Sequence, residues 1–440
     1  MVPYRDFFEH HTPWYYYALR PFFHWFDVAG SFESARHFLH FGRGLSLVLT
    51  ILSVLLLIFI GRLWDRRVGL LAGLLLVGQP TFFQKTLEIR PDVLALPFFL
   101  GGLWLLLRGL AIGVALSKRS LRYFLGGGLA IGAAIMCTQK MLFVLPGTLA
   151  GLALWALCSG RTENGTGRGL PSRVLLTLAF VLGIGVPGAL TWAAFAWHHG
   201  GGEFIADNFL LNSKWPRAVG GQLVRVKDDS WPVLLLSLLG ASVALHRFFR
   251  AEQRQYGGLL LLCIVLGLVA GILVVPVAHR QYYLMPLPIA CLFAAQGLLF
   301  LIELAAARTR AWLLVIAMIP LSVLPVRRLS ESFTERNDQQ LARLRYVLER
   351  TQPTDVVMDG WEGTGVFRPH ALPHYFLHEE ALAMLSRAQV DAYVDALEQG
   401  KIRPRLIALD ERLVTLGSRF LRFVGENYVS SDGFFYFRKT

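Results

Sequence analysis

Apolar residues gather along the chain into runs of about 15–22, close to the roughly 20 that a helix needs to cross about 30 Å of hydrocarbon. The pattern predicts about ten such spans, at residues 44–61, 68–84, 93–107, 124–138, 141–158, 174–196, 233–246, 257–277, 285–304 and 311–326. Pro80, Pro97, Pro146, Pro187 and Pro276 interrupt several of them. Residues 1–43 differ in kind: Trp14, Tyr15, Tyr16, Tyr17, Phe22, Phe23, Trp25 and Phe26 sit among polar residues, as in an amphipathic stretch lying on a membrane interface. From residue 328 onward the apolar runs shorten and charge rises. Helices are predicted there over Asp338–Thr351, Ser386–Gln399 and Leu413–Gly425, with strands at Asp355–Asp359, Arg405–Asp410 and Phe434–Arg438. That alternation predicts a small α/β domain. The expected fold class is an α-helical polytopic membrane protein with a small C-terminal external α/β domain. Its expected parts are a first external segment (1–43), a transmembrane domain (44–327) and the tail domain (328–440).

Composition supports this reading. The chain is 54% hydrophobic and only 17% charged, against about 25% charged in soluble proteins. The same values exclude intrinsic disorder. The net charge is 43 − 30 = +13, which in a soluble protein would point to nucleic acid. In a membrane protein basic residues collect in cytoplasmic loops, so no nucleic-acid partner is expected. Cys137, Cys158, Cys263 and Cys291 lie in or at the ends of apolar runs, at no metal-ligand spacing, and read as small buried hydrophobes.

Charge also orients the spans. Alternate connections carry Arg62, Arg66 and Arg67, then Arg108, Lys118, Arg119 and Arg122, then Arg161, Arg168 and Arg173, then Arg247, Arg250 and Arg254, then Arg308 and Arg310. The opposite short connections carry only Lys85, Arg90, Lys140 and Arg280. The first set is therefore cytoplasmic, and residues 1–43, 197–232 and the tail are external. Such a chain is expected in the cell (inner) membrane with its working face external. This topology puts both termini outside, yet residues 1–43 contain no export signal, so a further span upstream of Met1 is expected.

Ionisable residues at span ends are functional candidates, because they are costly there. On the external side they cluster as Asp6, Glu9, His10 and His11, then Glu88, Arg90 and Asp92, then Lys140, then His279 and Arg280 with Tyr282 and Tyr283. Acids beside bases at one membrane face suit chemistry on an anionic lipid headgroup. A carboxylate can deprotonate a hydroxyl, and Arg or Lys can neutralise a phosphate leaving group. Each residue also has a plainer use. His10 and His11 can be interfacial polar residues, Asp92 can cap the following helix, and Arg90 and Lys140 can snorkel. Gly126, Gly127 and Gly128 read as a surface for close helix packing, not a phosphate loop.

Taken together, VPYRDFFEHHTPWYYYALRPFF, EIRPDVLALPFFL, CTQKMLFVLPG and RQYYLMPLPIA resemble segments of the polytopic GT-C glycosyltransferases. The nearest branches are those of protein O-mannosyltransferases and lipid A aminoarabinose transferases (families 39 and 83). The resemblance implies an inverting transfer of a sugar from a polyprenyl-phosphate donor to an acceptor hydroxyl of a protein, lipid or polysaccharide on the external face. Phe8, Glu9 and Pro13 resemble the family's Phe-Glu-x-Pro segment with two extra residues. Asp92 matches an acidic position, and Lys140 a basic one implicated in donor phosphate binding. The family's leading Asp-Glu has no counterpart, which leaves Asp6 as a substitute base. The resemblance thus implies Asp6, Glu9 and Asp92 as catalytic. It implies Arg90, Lys140, His279 and Arg280 on the donor phosphate, and His10, His11, Tyr282 and Tyr283 lining the pocket. No cofactor is required, although carboxylates are compatible with Mg²⁺ or Mn²⁺. The alternatives are a lipid-linked sugar transporter or flippase, which would favour internal repeats and midplane charges where this sequence shows no repeat and has its charges at span ends, and a non-catalytic relative.

Overall fold

The computed structural model describes residues 4, 11–112, 116–158, 170–210, 224–250, 256–275, 279–305, 337–372, 385–430 and 432–439, with isolated residues between 306 and 384. Eight helices among them are long and apolar enough to cross a membrane, and the chain is an integral membrane protein.

An amphipathic helix, α1 (Trp14–Trp25), precedes the first span. That span, α2 (Phe32–Gly61), starts earlier than the apolar run at 44 suggests, because Ser31 accepts a hydrogen bond from the Ser34 amide and caps a helix that runs unbroken through residue 44. The expected span at 68–84 is two pieces, α3 (Arg66–Val77) and α4 (Pro80–Thr86). Pro80 forces the preceding Gln79 into extended backbone. With 12 residues, at about 1.5 Å each, α3 falls well short of the hydrocarbon thickness. Spans α5 (Pro91–Ile112), α6 (Lys118–Cys137), α7 (Val144–Cys158), α8 (Leu170–Trp197), α10 (Val224–Phe249), α11 (Tyr256–Val274) and α12 (Pro286–Leu304) follow, with the short α9 (Gly201–Ile205) after α8. The expected tenth span, 311–326, lies almost wholly outside the described residues. Among the described residues eight helices are span-length, and the expected span at 68–84 is not one of them. None of the four cysteines forms a disulfide.

Close pairs α6/α8, α7/α11 and α10/α12 hold the bundle together. Each closes over facing glycines: Gly128 against Gly183, Gly147 against Gly267, Gly240 against Gly297. A Cβ on Gly128 would stand 2.1 Å from the Phe180 carbonyl oxygen, and one on Gly240 would stand 1.8 Å from that of Phe293. In lipid, helices gain little from burying apolar surface, so small residues that admit close approach decide which helices pair.

The tail domain carries the predicted alternation with a difference in sheet type. α13 (Asp338–Arg350), β1 (Val357–Met358), α14 (Arg387–Glu398), β2 (Leu406–Ala408), α15 (Glu411–Val414), α16 (Ser418–Asn427), β3 (Tyr428–Ser430) and β4 (Phe435–Arg438) build it. The sheet order is β1-β2-β4-β3, parallel between β1 and β2 and antiparallel elsewhere. It is mixed because β3 and β4 form a terminal hairpin, of which the sequence pattern predicts only the second strand. The single helix expected at 413–425 is divided by Gly417, at φ +101°. Val347 of α13 packs with Val357, Leu406 and Phe435, while Val394, Leu397, Phe420 and Val424 of α14 and α16 pack with Met358 and Ile407. Asp410 ties the two parallel strands together beyond their carboxyl ends. Its Oδ2 accepts from the amides of Gly360 and Trp361 at 2.9 and 2.6 Å, and its Oδ1 caps α15.

Gly128→Leu is expected to separate α6 from α8. The backbone cannot move aside cheaply, so the cost is about 3 kcal/mol or more, read as a lower unfolding temperature and a loss of monodisperse protein in detergent. Gly126→Leu, at a position whose nearest new contact is Leu105 at 3.5 Å, is expected to be tolerated.

Candidate active site

Four pieces of chain meet at one end of the bundle. Residues 87–90 lead from α4 into α5, whose first turn carries Asp92. Pro91 suits a helix start, where its missing amide is no loss, and an acidic residue in the first turn meets the positive end of the helix dipole. At the end of α6, Thr138 is extended, and the 3₁₀ turn Gln139–Phe143 that follows presents Lys140. A second 3₁₀ turn, Arg280–Leu284, packs against α4 and α5. α1 touches α5 and α6 from the side.

The charges they carry form one chain of contacts. Asp92 is 2% exposed. Lys140 Nζ donates to its Oδ1 and Oδ2 at 3.3 and 3.4 Å, and Arg90 Nε donates to Oδ2 at 3.4 Å. Glu88 extends the chain: Arg90 Nη1 donates to its Oε2, and Lys85 Nζ to its Oε1 at 2.6 Å. The Lys140 ammonium also sits 4.5 Å from the centroid of the Tyr282 ring, a cation–π contact. Lys85, Arg90 and Lys140 against Glu88 and Asp92 leave a formal charge of 3 − 2 = +1. Burial works against the Arg90 charge, but Asp92 and Glu88 more than offset it and hold its pKa above the ordinary value. Arg90 therefore keeps its charge, and the cluster has a formal excess of one positive charge at this end of the bundle. Such a site suits an anion that arrives with its own oxygens.

The first segment is threaded into this arrangement. Thr12 is fully buried, and its hydroxyl donates to the Ile135 carbonyl at 2.9 Å, one of those left open at the end of α6. Trp14 Nε1 donates to Thr191 Oγ1 on α8 at 2.9 Å, and the Tyr4 hydroxyl donates to the His11 carbonyl at 2.6 Å. These anchors leave Tyr15 buried within electrostatic reach of Arg90 and Asp92. Burial pushes its phenol pKa well above the usual value, and Arg90 pulls it partly back. His11 lies within electrostatic reach of Asp92.

The structure thus brings Arg90, Asp92, Lys140 and Tyr282 into contact, with His11 nearby. His279 and Arg280 are exposed, with His279 stacked loosely on Tyr282 at 6.4 Å. Tyr283 is buried against Ile272. Asp6, Glu9 and His10 lie outside the described residues. Sequence reasoning took Tyr15 as part of an interfacial stretch and gave Thr12 and Lys85 no place in the site. The periodicity of WYYYALRPFF places Tyr15 opposite Tyr17 on a helix, a signal that one face of this segment is buried.

Residues 11–192 match the family described as dolichyl-phosphate-mannose-protein mannosyltransferase. That stretch includes α1, Asp92 and Lys140. No curated protein matches the sequence. In fold the chain is similar to the oligosaccharyltransferase AglB from Archaeoglobus fulgidus, solved in complex with an inhibitory peptide and a dolichol-phosphate, with a TM-score of 0.60 at 14% identity over 91% of this chain and 61% of AglB. The same archaeal enzyme solved with Zn and sulfate aligns at a TM-score of 0.53 and 14% identity, over 92% of this chain and 60% of that one. ArnT from Cupriavidus metallidurans, solved bound to undecaprenyl phosphate, aligns at a TM-score of 0.57 and 12% identity over 98% of this chain and 87% of ArnT. The chain therefore spans about three fifths of the length of the archaeal enzyme it matches. Identities of this size establish the fold. The resemblance to the GT-C glycosyltransferases read from the sequence motifs is borne out.

Removing one member of a buried ion pair leaves the other uncompensated, at a cost of about 3–5 kcal/mol. Asp92→Asn, which leaves Lys140 and Arg90 facing each other, is expected to lower the unfolding temperature more than the double variant Asp92→Asn/Lys140→Met does. Thermal unfolding of the two variants in one detergent checks this ordering.

Proposed function

We propose that the protein is an inverting glycosyltransferase that moves a sugar from a polyprenyl-phosphate donor to an acceptor hydroxyl on the external face of the cell membrane. The observation that carries this reading is the buried Asp92 carboxylate held between Lys140 and Arg90, inside the stretch that matches the mannosyltransferase family. ArnT was solved bound to undecaprenyl phosphate and AglB with a dolichol-phosphate, which supports a polyprenyl phosphate as the ligand of the corresponding end of this bundle.

The chemistry follows from the charges. The acceptor oxygen attacks the anomeric carbon, the bond from that carbon to the phosphate oxygen breaks, and polyprenyl phosphate leaves with the electron pair. Lys140 and Arg90 meet the negative charge that grows on the phosphate, where preorganised cations contribute most. The polyprenyl tail stays in lipid. Both oxygens of Asp92 are already engaged by cations, so we assign it the holding of Lys140 and Arg90 and not proton abstraction. The acceptor proton then passes to Asp6 or Glu9 in the segment that precedes His11. His279 and Arg280, exposed at the start of their turn, are placed to meet the headgroup as it enters. His10, Tyr282 and Tyr283 remain assigned to the pocket, with Tyr282 as its described wall beside Lys140.

Among the described residues no three His, Cys, Asp or Glu side chains come together to hold a metal. Asp92, bound by an ammonium and a guanidinium, is a poor donor to Mg²⁺ or Mn²⁺. Among the described residues no donor set fits the Zn found with the archaeal enzyme, and no step above runs through a metal.

The test is release of polyprenyl phosphate from a panel of polyprenyl-phosphate-linked hexoses and pentoses by protein in lipid nanodiscs. The native protein is expected to turn over at least one donor. Lys140→Met is expected to slow it about 10- to 100-fold, the loss of one charge-assisted contact of about 1.5–3 kcal/mol. Lys140→Met as fast as the native protein, or no donor consumed at all, would sink the assignment.

A further inference from the structure

The turn between α1 and α2 is packed against the tail region. Val28, Phe32, Ala35 and Phe38 share one core with Leu344 and Leu348 of α13 and with Phe367, alongside Phe22, Phe23 and Phe26 of α1 and the residue after it. The Phe367 ring stands 5.8 Å from Phe23 and 6.2 Å from Phe38, centroid to centroid. Behind this contact lies Arg368, 7% exposed, with all its N–H groups spent on neutral oxygens. Nε donates to Thr351 Oγ1 at 2.9 Å, and Nη2 to the Leu348 and Thr351 carbonyls at 3.1 and 2.9 Å. Nη1 donates to the Phe367 carbonyl at 3.1 Å and to the Ala29 carbonyl at 2.9 Å. The three bonds to Leu348 and Thr351 tie the end of α13 to the loop after β1, where a cation also suits the negative end of the helix dipole. The fifth leaves the tail domain and reaches a residue 339 positions away in the sequence. Arg345, over the Phe32 ring at 4.4 Å, supports the same contact from the side.

α1 is therefore held at both ends by different parts of the protein. Thr12 and Trp14 fix its beginning to α6 and α8, and the tail domain fixes its end. Tyr15 lies between, buried and within electrostatic reach of Arg90 and Asp92, on a helix that touches α5. We propose that Arg368 is a positioning residue, through which the tail domain sets α1, and with it Tyr15 and His11, against the charged cluster. The inference rests on the glycosyltransferase reading only for its consequence on rate. Its mechanical part stands alone.

The test compares Arg368→Met, Arg368→Lys and the native chain in nanodiscs by amide hydrogen exchange, which reports local opening, alongside undecaprenyl-phosphate binding and donor turnover. In Arg368→Met, exchange over residues 14–31 is expected to rise at least about tenfold while the strands of the tail sheet stay within about twofold. Affinity for undecaprenyl phosphate is expected to stay within about twofold and turnover to fall at least about tenfold, because the cations that hold phosphate do not lie on α1. Arg368→Lys, which keeps the charge and some of the donors, is expected to fall between. Unchanged exchange over 14–31 overturns the proposal, and so does raised exchange with full turnover. Where Arg368→Met opens the tail sheet as well, Leu344→Ala takes its place. Leu344 packs on the α1–α2 turn and not on the sheet, and native exchange over 14–31 in that variant overturns the proposal. A native chain that turns over no donor, with exchange altered as expected, counts against the glycosyltransferase reading and leaves the coupling standing.

Discussion

A carboxylate and an ammonium taken out of water at the end of a membrane bundle must find each other, because either one alone costs several kcal/mol. Asp92 and Lys140 come from positions 48 residues apart, on a helix start and on a turn between two other spans. Their meeting fixes how α5 stands relative to the junction of α6 and α7. Arg90 and Glu88 extend the requirement into the connection before α5, and Tyr282 extends it to the turn before α12. Much of this end of the bundle is arranged so that these few polar groups are satisfied together.

That arrangement depends on precise helix placement, which comes from the glycine contacts. Gly128 and Gly183 bring α6 close enough to α8 for backbone to touch backbone. The two helices then offer Ile135 O and Thr191 Oγ1 at the spacing that Thr12 and Trp14 need. A side chain wider than hydrogen at Gly128 would push α8 outward and carry the Trp14 anchor with it. Small residues deep in the membrane thus act on the polar site at its surface through rigid helices. A dense interior transmits such displacements because it has no slack to absorb them.

Most of the architecture was legible in the sequence, since apolar runs of bilayer length admit few other readings. Ser31, Pro80 and Gly417 mark where it was not. Each is a local backbone device, a cap, a breaker or a positive-φ link, that outweighs the hydrophobic pattern around it. In the site, Arg90, Asp92 and Lys140 stood out as ionisable residues at span ends, and the structure brings them together. Tyr15 and Thr12 did not, because their burial depends on α6 and α8, whose positions relative to residues 11–25 no local pattern encodes. Arg368 was equally hidden. Its partners are backbone carbonyls, which every sequence supplies and none advertises.

In the proposed reading, the resident carboxylates also prepare the cluster for an anion. An anion site made only of cations would repel itself and draw in water. Here Glu88 and Asp92 neutralise most of the charge in advance, so Lys140 and Arg90 are already desolvated, oriented and hydrogen-bonded. In the proposed reaction the donor phosphate would share these cations with the resident carboxylates. Little reorganisation would then be needed as charge develops on the leaving oxygen, and low reorganisation is the condition under which preorganised charges lower a barrier. In that proposed reaction a carboxylate that stays in place would also give the polyprenyl phosphate a way out, because the product would compete with Asp92 for Lys140 throughout.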